Sequence, residues 1–262
     1  MPAPPDRPAR TRARIARLAL AMAAVAALAT FTFRNPWFRG NLGVVDDGLV
    51  FRSAQPTDRL PELVADRRLA TVLNLRGGSD ADPWYAAEVA AVRRLGVDFY
   101  DLPLVATARP TRKQLLMILD LLDRCKYPLL IHCKSGSDRT GMVSALYLMS
   151  RKGVPPERAE AEFSLYYGHV PILGTRRLHE PFREYADWLG SRRLAHTPGR
   201  FRDWVEHHYR ADDALADLIP LPIGPRPPRS ARLSGRSDAP APRRAEPRQF
   251  AVEPLQNKAT PP

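Results

Sequence analysis

The chain has 262 residues, of which 44% are hydrophobic, enough apolar material for one large domain or for one medium domain with tails. Its two cysteines exclude a disulfide framework. The formal net charge is +12, but much of the excess is arginine in the two tails, so we do not expect a dedicated nucleic-acid-binding function.

Residues 1–39 are predicted to direct the chain to a membrane. Five arginines lie among residues 1–17, and an uncharged, mostly apolar stretch follows at about 18–33. This pattern is typical of an uncleaved signal-anchor, here slightly short for a transmembrane helix, or of a cleaved signal peptide. We favour the anchor because aromatic residues near its end suit a membrane interface: Phe31, Phe33, Trp37 and Phe38.

The basic flank also predicts the location of the rest of the chain. Arginine-rich segments tend to stay on the cytoplasmic side of a membrane. We therefore expect a membrane-anchored protein whose globular part is periplasmic or otherwise extracytoplasmic. The alternatives are secretion after signal cleavage and a cytoplasmic protein.

Residues 40–195 are predicted to form one domain in which strands and helices alternate. Strand patterns occur at 49–53, 71–75, 97–102 and in the run that ends before Cys133. Helix patterns occur at 61–69, 83–95, 111–125, 140–151, 157–167 and 176–190. Such alternation predicts an α/β fold with a mainly parallel sheet.

The remaining residues carry weaker signals. Residues 196–219 are predicted as one uncertain helix, with its pattern at 200–218. Residues 221–262 contain ten prolines, eight basic residues and three acidic ones. This composition leaves too little apolar surface to pack, so 220–262 is predicted to be a disordered Pro/Arg-rich tail.

The segment around Cys133 carries the chemistry. A strand, a tight loop and a helix N-terminus form a ready anion site, because amides there lack partners. Cys133 is the candidate nucleophile, since such a loop and a nearby arginine favour its thiolate. Arg139 offers a bidentate phosphate clamp, and Gly136 lets the backbone curl around an anion.

The other loop residues are expected to bind the substrate's phosphate group or to support the loop. Thr140 is placed to donate a hydroxyl hydrogen bond to the thiolate, and His132 is expected to orient the loop without acting as a base. The predicted substrate-binding residues are Lys134, Ser135, Gly136, Ser137, Asp138, Arg139 and Thr140.

The string from His132 to Gly141 resembles the Cys-x5-Arg signature of protein tyrosine and dual-specificity phosphatases, and landmarks at 51–56, 72–77 and 101–104 are similar to the bacterial dual-specificity type. The resemblance covers roughly residues 43–190. It implies the cysteine-phosphatase fold, with a mainly parallel four- to five-stranded sheet flanked by helices. It also implies a phospho-cysteine mechanism without metal or cofactor. Arg52 or Arg76 is expected near the pocket, or alternatively to hold loops.

Two aspartates are candidates for the general acid. Many family members place an aspartate in the loop before the third helix, but the corresponding residues 104–110 contain no acid. Asp101 has a suitable separation from Cys133, although it lies at a strand end where a structural acceptor is expected. Asp138 resembles the proton donor of myotubularin-like lipid phosphatases, and we favour it.

The resemblance predicts phosphomonoester hydrolysis on a phosphorylated protein, of phosphotyrosine or dual-specificity type, or on a small phosphorylated substrate. Because Lys134 adds positive charge, a phosphoinositide or inositol-phosphate substrate is an alternative. Because the conventional acid is missing, a phosphate-binding pseudophosphatase is another alternative. His169, His179, His207 and His208 lack metal-ligand spacing, so no metal site is expected.

Overall fold

The computed structural model describes residues 7–32, 35, 39–172 and 174–211. The predicted tail 220–262, residues 212–218 of the last predicted helix and three of the four aromatic anchor residues (33, 37 and 38) lie outside this range. Helix α1, Arg7–Thr32, contains a window, Arg14–Phe31, that is long and apolar enough to cross a membrane by length and composition. A signal sequence passes the same test.

A five-stranded sheet lies at the centre of the fold. Its strands are β1 (Gly43–Asp46), β2 (Val50–Ser53), β3 (Thr71–Asn74), β4 (Asp98–Asp101) and β5 (Leu129–His132). Their order is β1-β2-β5-β3-β4, and only the edge pair β1–β2 is antiparallel. The expected α/β fold with a mainly parallel sheet is confirmed.

The helices follow the strands in the predicted alternation. They are α2 (Leu60–Arg67), α3 (Pro83–Leu95), α4 (Arg112–Arg124), α5 (Asp138–Lys152), α6 (Pro156–Ala159), α7 (Glu180–Arg192) and α8 (Pro198–His207). Local signals explain two boundaries well. Helix α3 has proline in its first turn and ends at Gly96, whose φ is 68°, and α4 begins at a capping box between Thr111 and Gln114.

The sheet separates two apolar clusters. Along β5, Leu129 and Ile131 belong to one cluster and Leu130 to the other, because successive side chains of a strand point to opposite faces. The first cluster includes residues of α4, α5, α7 and α8, and the second includes residues of α2 and α3. Cys133 therefore follows a strand that is covered on both faces.

The strand register brings four polar residues into one row at the carboxyl edge of the sheet. Ser53 and Asn74 both pair with His132, and Asn74 also pairs with Asp101. Ligand sites in parallel sheets form at this edge. The loop that begins at Cys133 therefore leaves the middle strand where a site is expected.

The segment predicted as a helix at 157–167 is broken in the structure. Only α6 is α-helical, and short 3-10 turns follow at Glu160–Glu162 and Leu165–Tyr167. A tertiary contact opposes a helix beyond Glu162: its carbonyl, which would accept from the N–H of residue 166 in a continuous helix, accepts from buried Arg52 Nη1 at 2.8 Å. The helical prediction for this segment was wrong.

The boundary predicted at residue 195 also needs correction. Helix α8 contributes Phe201, Trp204 and Val205 to the first cluster, which includes residues of α4 and α5. Tyr209, just beyond α8, is buried in the same cluster. Because these side chains share one core, the folded unit extends past residue 195.

Candidate active site

The loop after β5 has the compact geometry predicted for it. Cys133 is the first residue after the strand, and α5 begins five residues later at Asp138. Gly136 has φ of 69°, and a Cβ atom there would lie 2.5 Å from Ala54 N. A positive φ and so close a neighbour both require glycine at this point.

The carbonyl groups of the loop are bound from outside. The acceptor–donor pairs are Lys134 O with Gln55 N (3.3 Å), Ser135 O with Asn41 Nδ2 (2.8 Å), Gly136 O with Arg52 Nη2 (2.9 Å) and Ser137 O with Arg52 Nη2 (3.4 Å). Since the N–H and C=O of a trans peptide point in opposite directions, these contacts turn loop amides inward. Gly136 N accordingly donates to Cys133 Sγ at 3.3 Å. The result is a nest suited to an anion.

Arg52 holds the loop and does not extend into solvent. It is fully buried, and its Nη1 lies 2.6 Å from Glu162 Oε2. Its guanidinium also stacks over the Tyr167 ring at 3.7 Å. Burial lowers the pKa of Arg52, and the Glu162 carboxylate opposes that shift. Of the two roles expected for this arginine, its contacts match loop support.

Two donors at the start of α5 remain unpaired. Arg139 Nη1 donates to Leu75 O at 3.3 Å and to Leu104 O at 3.2 Å, which fixes the guanidinium beside the loop. Arg139 Nε and Thr140 Oγ1 are buried and have no hydrogen-bond partner among the residues that the structure describes. Unpaired buried donors in the first turn of a helix suit an oxyanion.

His132 lies beside a buried carboxylate that sequence reasoning missed. Its Nε2 is 2.9 Å from Glu88 Oε1, which is an ion-pair distance, but among the described residues neither atom has a partner with hydrogen-bond geometry; both side chains are almost completely buried. Gln55 Nε2 donates to Glu88 Oε2 at 2.8 Å. Arg76 Nη1 reaches Gln55 Oε1 at 3.4 Å, and its guanidinium stacks 3.5 Å from the Trp84 ring centre. The predicted residues His132 and Arg76 therefore belong to one polar network.

Asp138 lies in the first turn of α5, directly after the loop, and contacts a residue that is distant in sequence. Its Oδ1 accepts from Ser137 Oγ at 3.3 Å and lies 2.7 Å from His169 Nδ1. The carboxyl side chain is 22% exposed, while the His169 side chain is 1% exposed. The side chains of Lys134 and Ser135, by contrast, are exposed.

Asp101 lies two strands away from His132 in the sheet. Neighbouring strands are about 4.8 Å apart, so the two backbones are separated by roughly 10 Å. Its carboxylate accepts hydrogen bonds from Asn74 Nδ2 at 2.8 Å and from the Tyr85 hydroxyl. Asp138 thus lies in the first turn after the loop, whereas Asp101 lies at the end of β4 and contacts Asn74 and Tyr85.

Several residues of this site carried no usable sequence signal. Asn41 adopts a left-handed φ of 54° and binds both Ser135 O and Tyr167 O. Glu88 occupies a position on α3 that periodicity alone does not mark as polar and buried. His169 lies in an irregular segment, 31 residues from the aspartate that it contacts. Only tertiary structure brings such groups together.

A phosphatase family model matches the part of the chain that contains this site. The model described as "DSP-PTPase phosphatase fused to NAD+ Kinase" matches residues 36–170, just over half of the chain. The match contains β1 to β5 and the complete loop after Cys133. Among curated proteins, no sequence matches the chain.

Solved structures of phosphatases are similar at low sequence identity. Pseudomonas aeruginosa TpbA is 22% identical over 64% of this chain and 91% of its own, with a TM-score of 0.48. Tk-PTP in its active form is 24% identical over 58% and 98%, with a TM-score of 0.44. The core catalytic domain of the PP-IP phosphatase SIW14 from Saccharomyces cerevisiae is 16% identical over 58% and 93%, with a TM-score of 0.45. On the family match, the chain belongs to the DSP-PTPase phosphatase family of the cysteine-dependent dual-specificity superfamily.

Proposed function

We propose that this phosphatase hydrolyses phosphomonoesters through a phospho-cysteine formed on Cys133. The carrying observation is the arrangement of donors around that thiol: inward-turned loop amides together with the unpaired Arg139 Nε and Thr140 Oγ1. These groups would bind the non-bridging oxygens of a phosphoryl group while Cys133 Sγ attacks phosphorus in line. Phosphotyrosine and other protein phosphoesters are the proposed substrate type.

Asp138 is the proposed proton donor to the leaving group. It is in the first turn of the helix that begins at the loop, whereas Asp101 is two strands from His132 and accepts two hydrogen bonds. A general acid matters most for esters with poor leaving groups. We therefore expect Asp138→Asn to slow phenyl phosphate hydrolysis far more than p-nitrophenyl phosphate hydrolysis. Asp101→Asn is the comparison, and the opposite pattern would move the acid role to Asp101.

Turnover by two matched cysteine variants tests the proposed nucleophile. Cys133 and Cys125 are both free and buried, but Cys125 lies at the end of α4, before β5, where burial raises the pKa of its thiol. In the full chain, we expect Cys133→Ser to abolish p-nitrophenyl phosphate turnover and Cys125→Ser to keep it. Equal activity of both variants would contradict the mechanism, and vanadate binding without turnover by the wild type would identify a pseudophosphatase.

A phosphoinositide or inositol-phosphate substrate is the second candidate. Lys134 is exposed within the loop, so it adds positive charge beyond that of the Arg139 clamp. More than one phosphate group on a substrate would use that charge. We expect Lys134→Gln to reduce kcat/KM for inositol polyphosphates more than for a phosphotyrosine peptide. An equal effect on both substrates would remove this candidate.

We propose further that α1 anchors the protein to a membrane with the phosphatase domain outside the cytoplasm. The support is the apolar window Arg14–Phe31 behind an arginine-rich start. Cell fractionation should recover the intact chain with membranes, and protease added outside the cytoplasmic membrane should reach the domain. Recovery of a shorter soluble chain would indicate a cleaved signal peptide, and protection from protease would indicate a cytoplasmic domain.

A further inference from the structure

A row of four titratable side chains begins at Asp138, with two buried histidines between two half-buried carboxyl groups. Beyond the 2.7 Å contact between Asp138 Oδ1 and His169 Nδ1, His169 Nε2 lies 2.9 Å from His179 Nε2. His179 Nδ1 in turn lies 2.6 Å from Glu160 Oε1. Two imidazoles thus connect two carboxyl groups through three contacts of hydrogen-bond length. We call Asp138, His169, His179 and Glu160 the relay.

The surroundings of the relay keep its two imidazoles out of water. His169 is 2% exposed and His179 is 7% exposed. The Phe163 ring packs on both, with ring centres 4.9 Å from His169 and 4.1 Å from His179, and Phe182 packs on Phe163 in turn. Contacts between unprotonated ring nitrogens would therefore be costly, because water cannot replace a missing hydrogen bond.

The other charged groups on the packed elements are few. Arg183 on α7 has its Nε 4.0 Å from Glu160 Oε1 and is largely exposed. Glu162 is paired with Arg52, and Glu180 lies toward Arg109 at 3.7 Å. Arg176 and Arg177, in the turn before α7, are exposed. None of these, among the described residues, is inserted between members of the relay.

The relay must hold one proton more than the two N–H protons of two neutral histidines. Each of the three contacts needs one hydrogen, yet two neutral imidazoles have only two N–H groups. The third proton makes one imidazole cationic or makes one terminal carboxyl neutral. The row can therefore hold a positive charge between two carboxylates, close to the loop of Cys133.

On the proposed function, we infer that the relay compensates the charge of Asp138 as it donates and recovers its proton, with His169, His179 and Glu160 as positioning residues. In the first step the Cys133 thiolate forms the sulfur–phosphorus bond and the bond from phosphorus to the leaving oxygen breaks. That oxygen takes the proton of Asp138 Oδ2. The new carboxylate faces an imidazolium of the relay through Oδ1.

The second step restores the starting state. Water attacks the phospho-cysteine, a phosphorus–oxygen bond forms and the sulfur–phosphorus bond breaks. Asp138 Oδ2 takes one proton from that water, so the carboxyl is neutral again and phosphate leaves. The relay itself gains and loses no proton across the cycle. Its charge stabilises the carboxylate form that exists between the two steps.

A change at the far end of the relay separates this role from a structural one. Glu160→Gln keeps an oxygen that accepts from His179 Nδ1 but removes the charge that stabilises an imidazolium. We expect the full chain to lose about 10-fold in rate on phenyl phosphate, part of the 10²–10⁴-fold that a general acid contributes, with p-nitrophenyl phosphate little affected. The pH–rate profile on phenyl phosphate should also shift. Glu157→Gln, the same substitution at an exposed position of α6, should match the wild type.

Proton NMR of the full chain labelled with ¹⁵N-histidine supplies a readout that does not depend on turnover. We expect exchange-protected ring N–H protons on His169 and His179, altered by Glu160→Gln and present in Cys133→Ser. Wild-type rates and profile in Glu160→Gln, or rings without protected protons, would overturn the relay while an inactive Cys133→Ser still supported the proposed function. A fully active Cys133→Ser would overturn both.

Discussion

Two regions of the fold are packed with different kinds of side chain. The first is the carboxyl edge of the sheet around the Cys133 loop, the loop edge, and the second is the core beside α8, the α8 side. At the loop edge, buried side chains are charged or titratable: Arg52, Glu88, His132, His169 and His179. On the α8 side, aromatic rings fill the core, and the ion pairs lie at the surface, such as Arg202 Nη1 with Asp120 Oδ1 at 2.8 Å. Buried charge is a weak source of stability and needs its partners. The contrast indicates that the buried polar groups of the loop edge serve the proposed reaction, whereas the aromatic core of the α8 side stabilises the fold.

The largest expected effect comes from removing one arginine from each region. Arg52→Met removes the donor to Gly136 O and the donor to the carbonyl and carboxylate of Glu162, so we expect the free energy of unfolding to fall by about 3–5 kcal/mol. Arg202→Met breaks half-exposed ion pairs with Asp120 and Asp123 and should cost less than about 1 kcal/mol. Urea denaturation of both variants measures the difference. Similar losses in the two variants would contradict the contrast between the regions.

Two glycine substitutions compare the backbone of the loop with the backbone of a helix outside the site. Gly136→Ala places a Cβ 2.5 Å from Ala54 N at a φ of 69°, and displacement of the loop should reduce kcat/KM about 100-fold. Gly190→Ala, inside α7, meets no atom within 4 Å and should stabilise the fold by about 0.5–1 kcal/mol. Kinetics and thermal melting of both variants check this. An active Gly136→Ala would show that the loop geometry is dispensable.

The smallest expected effect is a pH dependence on the α8 side. Burial lowers the pKa of His196, which lies between the Tyr185 hydroxyl and Met149 O. The unfolded chain therefore binds this proton at higher pH than the folded one. The stability contribution is complete above the usual histidine pKa of 6.5 and is lost as the pH falls below it.

Comparing His196→Gln with the wild type at pH 7.5 and 5.5 isolates that contribution. The variant should lose less stability than the wild type between these two values. Equal losses in His196→Gln and the wild type would contradict the assignment.

The sequence predicted the elements that are specified by local chemistry. Helix α3 was predicted with its observed bounds because proline and Gly96 mark its ends, and Cys133 was placed correctly after an apolar strand. Strand β1 was not predicted, since four edge residues show no usable alternation. The Glu162 carbonyl, which a helix continued to residue 167 would use, instead accepts from Arg52, 110 residues away in sequence.

The candidate site likewise contains residues that the sequence indicates and residues that only the structure reveals. Cys133, Gly136 and Arg139 lie within one short segment, so their spacing alone indicated a loop around an anion. His169 and His179 were not assigned to the site because they lack metal-ligand spacing. Their relationship to Asp138 arises only when the chain after α6 folds back over α5. Long-range contacts of this kind leave no periodic pattern in a sequence.

We propose that Cys133 carries the phosphoryl group during turnover. Rapid acid quenching of the full chain with a phosphorylated substrate, followed by mass spectrometry of its peptides, measures this directly. We predict one phosphate on the peptide that contains Cys133, with none on the peptide that contains Cys125. Turnover in which phosphate is found on another residue, or on none, would contradict the claim.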